Sequence, residues 1–186
     1  GDQAPTLTRL GIQEWSRTKE RVKRSAQEMA QELLKLYAQR EVTPGISIAA
    51  DTPWQLEMED AFPYVETPDQ VVTIAQVKED MERARPMDRL VCGDVGYGKT
   101  EIALRAAFKA VASGMQVAIL VPTTLLAQQH YVTLSQRLGA YPVTVDVLSR
   151  FRSDKDQRAV LEALAQGKID ICVGTHRLLQ KDVKFK

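Results

Sequence analysis

The chain has 186 residues, a net charge of +1, 44% apolar and 26% charged side chains. That balance excludes a disordered or fibrous chain and fits one domain of ordinary size plus an appendage. No apolar run approaches the ~18 residues of a membrane span, no signal peptide opens the chain, and both cysteines, Cys92 and Cys172, sit in apolar runs. They read as buried thiols of a reducing, cytoplasmic setting. Charge is unevenly placed: residues 41–85 carry three basic against ten acidic side chains, and residues 86–186 fourteen against nine. The basic excess is compatible with a polyanionic partner without requiring one.

Residues 1–11 read as a linker, and residues 12–40 as a long amphipathic helix. Trp15, Val22, Met29 and Leu36 recur every seven positions, with Ala26 and Leu33 between them, which makes one apolar stripe. The stripe is expected to pack on its own protein rather than form a partner-binding coiled coil. Thr43-Pro44-Gly45 ends the helix, and residues 46–66, acidic and broken by Pro53 and Pro63, read as irregular. Thr67-Pro68-Asp69-Gln70 then carries the start signals of a helix running to about residue 83: N-cap, proline at the first position, and the far half of a capping box.

From there strands and helices alternate. Strands are predicted at residues 90–93, 116–121, 143–148 and 169–173. Helices are predicted up to about residue 112, over 124–138, and over 154–166 with a Ser153–Asp156 capping box. Ser113-Gly114, Gly139 and Gly167 are the stops. Short, β-branched, almost wholly apolar strands alternating with helices predict an α/β three-layer sandwich on a parallel sheet.

The stretch Gly93-Asp94-Val95-Gly96-Tyr97-Gly98-Lys99-Thr100, set between a predicted strand and a predicted helix, matches the phosphate-cradling pattern G-x-x-x-x-G-K-[ST]. Its glycines let backbone N–H groups approach phosphate at a helix N-terminus. Lys99 would then reach the β/γ-phosphates and the Thr100 hydroxyl a Mg²⁺ ion. The amide of Gln70 offers a donor beside an acceptor, suited to the adenine edge, and Phe62 could cover the ring face; the capping box competes for that same amide. Three further segments follow successive strands, where ligands of α/β sheets bind. They are Pro122-Thr123-Thr124 through Gln128, Ser149-Arg150-Phe151-Arg152, and Gly174-Thr175-His176-Arg177. Hydroxyls and guanidiniums there suit phosphate, with helix caps and solvated loops as the plainer readings.

Together these segments resemble the superfamily 2 helicases and translocases, with a Q motif at residues 62–70, motif I at 93–100, motif Ia at 122–128 and a later DNA-contact motif at 174–176. Within that group, residues 87–101, 121–131, 148–152 and 174–180 are similar to the transcription-repair coupling translocases. The resemblance implies a RecA-like P-loop sandwich, with residues 46–186 as the incomplete first motor lobe and residues 1–45 as linker and long helix. ATP and Mg²⁺ are the implied cofactors. Phe62 and Gln70 would meet the base and Lys99 and Thr100 the phosphates and metal, with Thr67, Gly93, Asp94, Val95, Gly96, Tyr97, Gly98 and Glu101 completing the cofactor-binding set and Lys99 and Thr100 catalytic. Thr123, Thr124, Gln128, Arg150, Arg152, Thr175 and His176 would face double-stranded DNA. The implied partners, RNA polymerase and excision-repair proteins, would engage regions outside this sequence, in the cytoplasm and away from membrane. The family's Asp-Glu box and arginine fingers lie outside the sequence too, so by itself the chain is expected to carry binding residues without turning nucleotide over. Two other readings are a RecG-type fork-remodelling helicase and a non-motor fragment that docks a partner through residues 12–40.

Overall fold

A computed structural model describes residues 13–186, which divide into two compact units. The predicted linker at residues 1–11 lies outside the described residues. In the first unit, α1 (Gln13–Val42) is the long helix expected from the heptad spacing. The Thr43 hydroxyl donates to the Gln39 carbonyl at 2.6 Å, and Gly45 N–H donates to the Ala84 carbonyl at 3.0 Å, which brings residues 84–86 into this unit. Within this unit the stripe is left uncovered: Trp15, Val22, Met29, Leu33 and Leu36 are all half-exposed or more.

The second unit holds residues 47–83 and 87–186. Its sheet has three parallel strands, β1 (Val117–Leu120), β2 (Val145–Leu148) and β3 (Ile171–Gly174), in the order β1-β3-β2. Ile171 is in register with both Val117 and Val145. β3 is buried at every position, as a central parallel strand between helical layers must be. Side-chain alternation sorts the layers. Ile171 and Val173 join a core with α4 (Lys99–Ala112) and α5 (Thr124–Leu138), whereas Cys172 points into a second core with Val160 and Leu164 of α6 (Asp154–Ala165). This is the predicted three-layer sandwich. The helix starts also behave as read: Ser153 accepts from Asp156 N–H at 3.2 Å, and Thr67 and Gln70 close a reciprocal capping box on α3 (Pro68–Glu82).

Three expectations fail. Residues 53–60 form a helix, α2 (Pro53–Asp60), where irregular chain was predicted. Pro53 is not a breaker there but the first helical residue, and Thr52 caps it by accepting from Gln55 N–H at 3.3 Å. Residues 90–93 do not form a strand. A strand needs a ladder partner, and among the described residues none pairs with them; Leu90 is 86% exposed. For the same reason Cys92 is exposed, against the expectation of two buried thiols; only Cys172 is buried, and burial pushes its thiol up to about 12. No helix of the described residues is long and apolar enough to cross a membrane.

α2, α3 and α4 are joined by ion pairs as well as apolar contacts. Lys109 of α4, only 2% exposed, donates to Asp51 at 2.7 Å and Glu82 at 2.8 Å. Lys78 of α3 bridges Asp51 at 2.6 Å and Glu59 at 2.7 Å. Arg105 of α4 reaches Glu66 at 2.6 Å and Glu101 at 3.1 Å. These pairs hold the segment before the phosphate loop against the helix that follows it.

Candidate nucleotide and nucleic-acid sites

Gly96 and Gly98 have φ of 83° and 71°, in the left-handed region where a side chain is strained, so the loop turns sharply into α4. Lys99 folds back over it, donating to the carbonyls of Gly93 and Asp94, each at 2.6 Å. An ammonium has three donors, so one remains for a ligand. Gln70 meets the loop from α3. Its Oε1 accepts from Thr67 N–H at 2.8 Å and its Nε2 donates to the Tyr97 carbonyl at 3.0 Å. A pocket of about 620 Å³ opens at this junction and brings Phe62, Thr67 and Gln70 together with Gly96, Tyr97, Gly98, Thr100 and Glu101. Gly93, Asp94, Val95 and Lys99 lie outside its lining. Tyr64, within the 62–70 motif, lines it too, and Thr133 and Arg137 join it from outside every segment singled out in the sequence. Arg137 is 75 positions from Phe62 in the chain, and no local pattern connects them.

Gly98 has a second reason to be glycine, because a Cβ there would collide with Gln70 Nε2. Gly98→Ala is therefore expected to cost about 1–2 kcal/mol from left-handed backbone strain, plus the displaced glutamine contact. Thermal unfolding of Gly98→Ala in wild-type and Gln70→Ala backgrounds checks this, since the collision contribution should vanish in the second.

A separate notch of about 490 Å³ lies at the carboxyl ends of the strands, lined by Thr123, Thr124, Arg150, Thr175 and His176 together with Pro122, Gln157 and Arg177. Five of the seven residues read from sequence as facing nucleic acid thus converge. Thr123 also caps α5, accepting from Leu126 N–H at 3.2 Å, and Thr175 is nearly buried. Arg152 is turned away, donating to Asp146 at 2.6 Å, and Gln128 lies on α5 outside the notch. Arg177 is held by a two-pronged pair to Asp182, at 2.7 and 2.6 Å. That pair raises the guanidinium further and holds the Asp182 carboxyl below the usual aspartate range.

A glycine-rich loop of the phosphate-cradling pattern at the start of α4, beside a parallel α/β sheet with hydroxyls and guanidiniums at the strand ends, is the arrangement of a helicase motor lobe. A family model for the DEAD/DEAH box helicases matches residues 67–186, and the chain belongs to that family. Over all 186 residues it is 56% identical to the transcription-repair-coupling factor of Mycobacterium tuberculosis (strain CDC 1551 / Oshkosh). Over 98% of its length it is 55% identical to the transcription-repair-coupling factor of Bacillus subtilis (strain 168). The chain spans about 15–16% of the length of these relatives. Among solved structures, RecG bound to a three-way DNA junction aligns with a TM-score of 0.76 at 33% identity, over 82% of this chain and 21% of that one. The yeast DEAD-box splicing factor Prp28 shares the fold, with a TM-score of 0.51 at 24% identity over 71% of this chain and 31% of its own.

Proposed function

We propose that residues 46–186 are the nucleotide-binding part of a motor lobe in an ATP-driven double-stranded-DNA translocase of the transcription-repair coupling type, with residues 1–45 as its linker and helix. In that role the parent protein would act on stalled RNA polymerase and bring excision-repair proteins to the site. The observation that carries the reading is the division of labour in Gln70. Capping and the loop contact occupy one lone pair of its oxygen and one N–H, which leaves one acceptor and one donor for an adenine edge. The two uses that compete on paper are compatible in the fold. ATP would lie with its base against Gln70 and Phe62 and its phosphates on the 96–100 turn; Thr100 would hold Mg²⁺, which neutralises phosphate charge when bound.

The notch supports the DNA half of the reading, because exposed Arg150 sits with the accessible hydroxyls of Thr123 and Thr124 where a phosphate backbone could be tracked. Replacing Arg150 by alanine is expected to weaken binding of a short labelled duplex equally across sequences and to reduce the log-log salt slope by about 1. Arg152→Ala, already paired with Asp146, should change that slope far less. Duplex binding that ignores salt and Arg150 would sink the DNA reading. The RecG likeness favours one second reading, fork remodelling, which a clear preference for branched over linear duplex would support.

A further inference from the structure

One wall of the base pocket is built by side chains that the phosphate-loop motif does not include. Two guanidiniums lie over the Phe62 ring, that of Arg105 5.3 Å and that of Arg137 5.5 Å from its centroid. A single oxygen gathers both: Glu101 Oε1 accepts from Arg105 at 3.1 Å and from Arg137 at 2.9 Å. Glu101 stands in the first turn of α4, immediately after Thr100. Arg137 also donates to the carbonyls of Met58 and Ala61, both at 3.3 Å, closing the end of α2 from which Phe62 extends. Tyr64 meets Phe62 edge-on, with centroids 5.5 Å apart.

Arg137 satisfies Glu101 and the α2 carbonyls at the expense of one of its own donors. Its Nε is buried without a partner, and a buried unsatisfied donor is a cost that an apolar side chain of similar length would avoid. Resting on the reading that this pocket takes adenine, we propose that Glu101, Arg105 and Arg137 are positioning residues. They hold Phe62 at one angle to the base and tie it to the helix that carries the phosphate loop. A ring fixed before binding loses little freedom when a base stacks on it, so the gain appears in the base-dependent part of affinity. The Glu101 carboxylate is taken up by Arg105 and Arg137, so phosphate affinity, set by the loop and Lys99, changes little with this arrangement.

The test measures competition by ATP and by inorganic tripolyphosphate, with Mg²⁺, against a fluorescent ATP analogue on the full chain. Arg137→Met and Glu101→Ala are expected to weaken ATP by about tenfold, the scale of a lost ring–cation contact and charged hydrogen bond. Tripolyphosphate should stay within about twofold, since its contacts lie elsewhere. Glu101→Gln keeps an acceptor oxygen and should recover most of the ATP loss. Equal losses for both ligands, or no loss for ATP in either variant, overturn the positioning role. Should Arg137→Met unfold, the comparison of Glu101→Ala with Glu101→Gln decides. A wild-type chain that binds tripolyphosphate as tightly as ATP would instead sink the adenine reading, and the proposal with it.

Discussion

Replacing Lys109 by alanine should cost about 3 kcal/mol of folding free energy, because it leaves the partly buried Asp51 with one cation fewer and removes the buried lysine stem. Thermal unfolding should register this as a midpoint lowered by roughly 6–12 °C for a unit of this size. Lys109 is the most deeply placed cation of the ion-pair network, and its partners are unequal: Asp51 is partly buried, whereas Glu82 is 44% exposed. Most of the loss therefore comes from Asp51, which retains only Lys78, and from the four-carbon stem that fills space between α3 and α4. Burial opposes charge on both partners, yet the hydrogen bonds win. They hold the Asp51 carboxyl below its ordinary 3.8 and the Lys109 ammonium above its ordinary 10.5.

The sign of the pH dependence follows from those directions. A depressed carboxyl adds stability that is present above 3.8 and lost as pH falls through its folded value. A raised ammonium adds stability that is present below 10.5 and lost as pH rises through its folded value. Wild-type stability should thus hold a plateau between these limits. Lys109→Ala should remove the alkaline limb and shrink the acid one, with Lys78 preserving a remainder. Unchanged stability in Lys109→Ala would show that the pair merely balances its own desolvation.

The second large effect is on binding. Lys99→Ala is expected to weaken ATP by about a hundredfold, as loss of charge-assisted hydrogen bonds to phosphate implies. Lys99 is exposed and its ammonium binds two loop carbonyls, so its removal also releases the loop from its bent form. Stability should change little, since no core contact is lost. Calorimetric titration with ATP checks both parts, and affinity retained within threefold would detach the loop from nucleotide binding. The contrast with Lys109 is physical: one lysine is buried against carboxylates of its own fold, whereas the other is exposed and bonds only loop carbonyls.

Much of the fold was legible because local rules and packing agree. Caps at Thr67, Thr123 and Ser153 start α3, α5 and α6, and Gly114 and Gly167 take positive φ where α4 and α6 were predicted to stop. α2 was missed because a proline was read as a breaker although a threonine cap preceded it. The stretch 90–93 was read as a strand from its apolar side chains, but pairing is a property of neighbours, and none pairs with it among the described residues. The apolar stripe of α1 was equally legible, whereas what it packs against was not.

The sequence by itself determined the phosphate loop, because glycine spacing and the following lysine act through local backbone geometry. It also determined the alternation of helices and strands from α4 onward, and hence the sandwich. Only the tertiary structure decided how Gln70 divides its hydrogen bonds between cap and loop, and which strand-end residues share the notch. It also decided that Arg105 and Arg137 meet on Phe62 through Glu101. Those contacts join residues many positions apart, and a chain encodes them through packing and charge rather than through spacing.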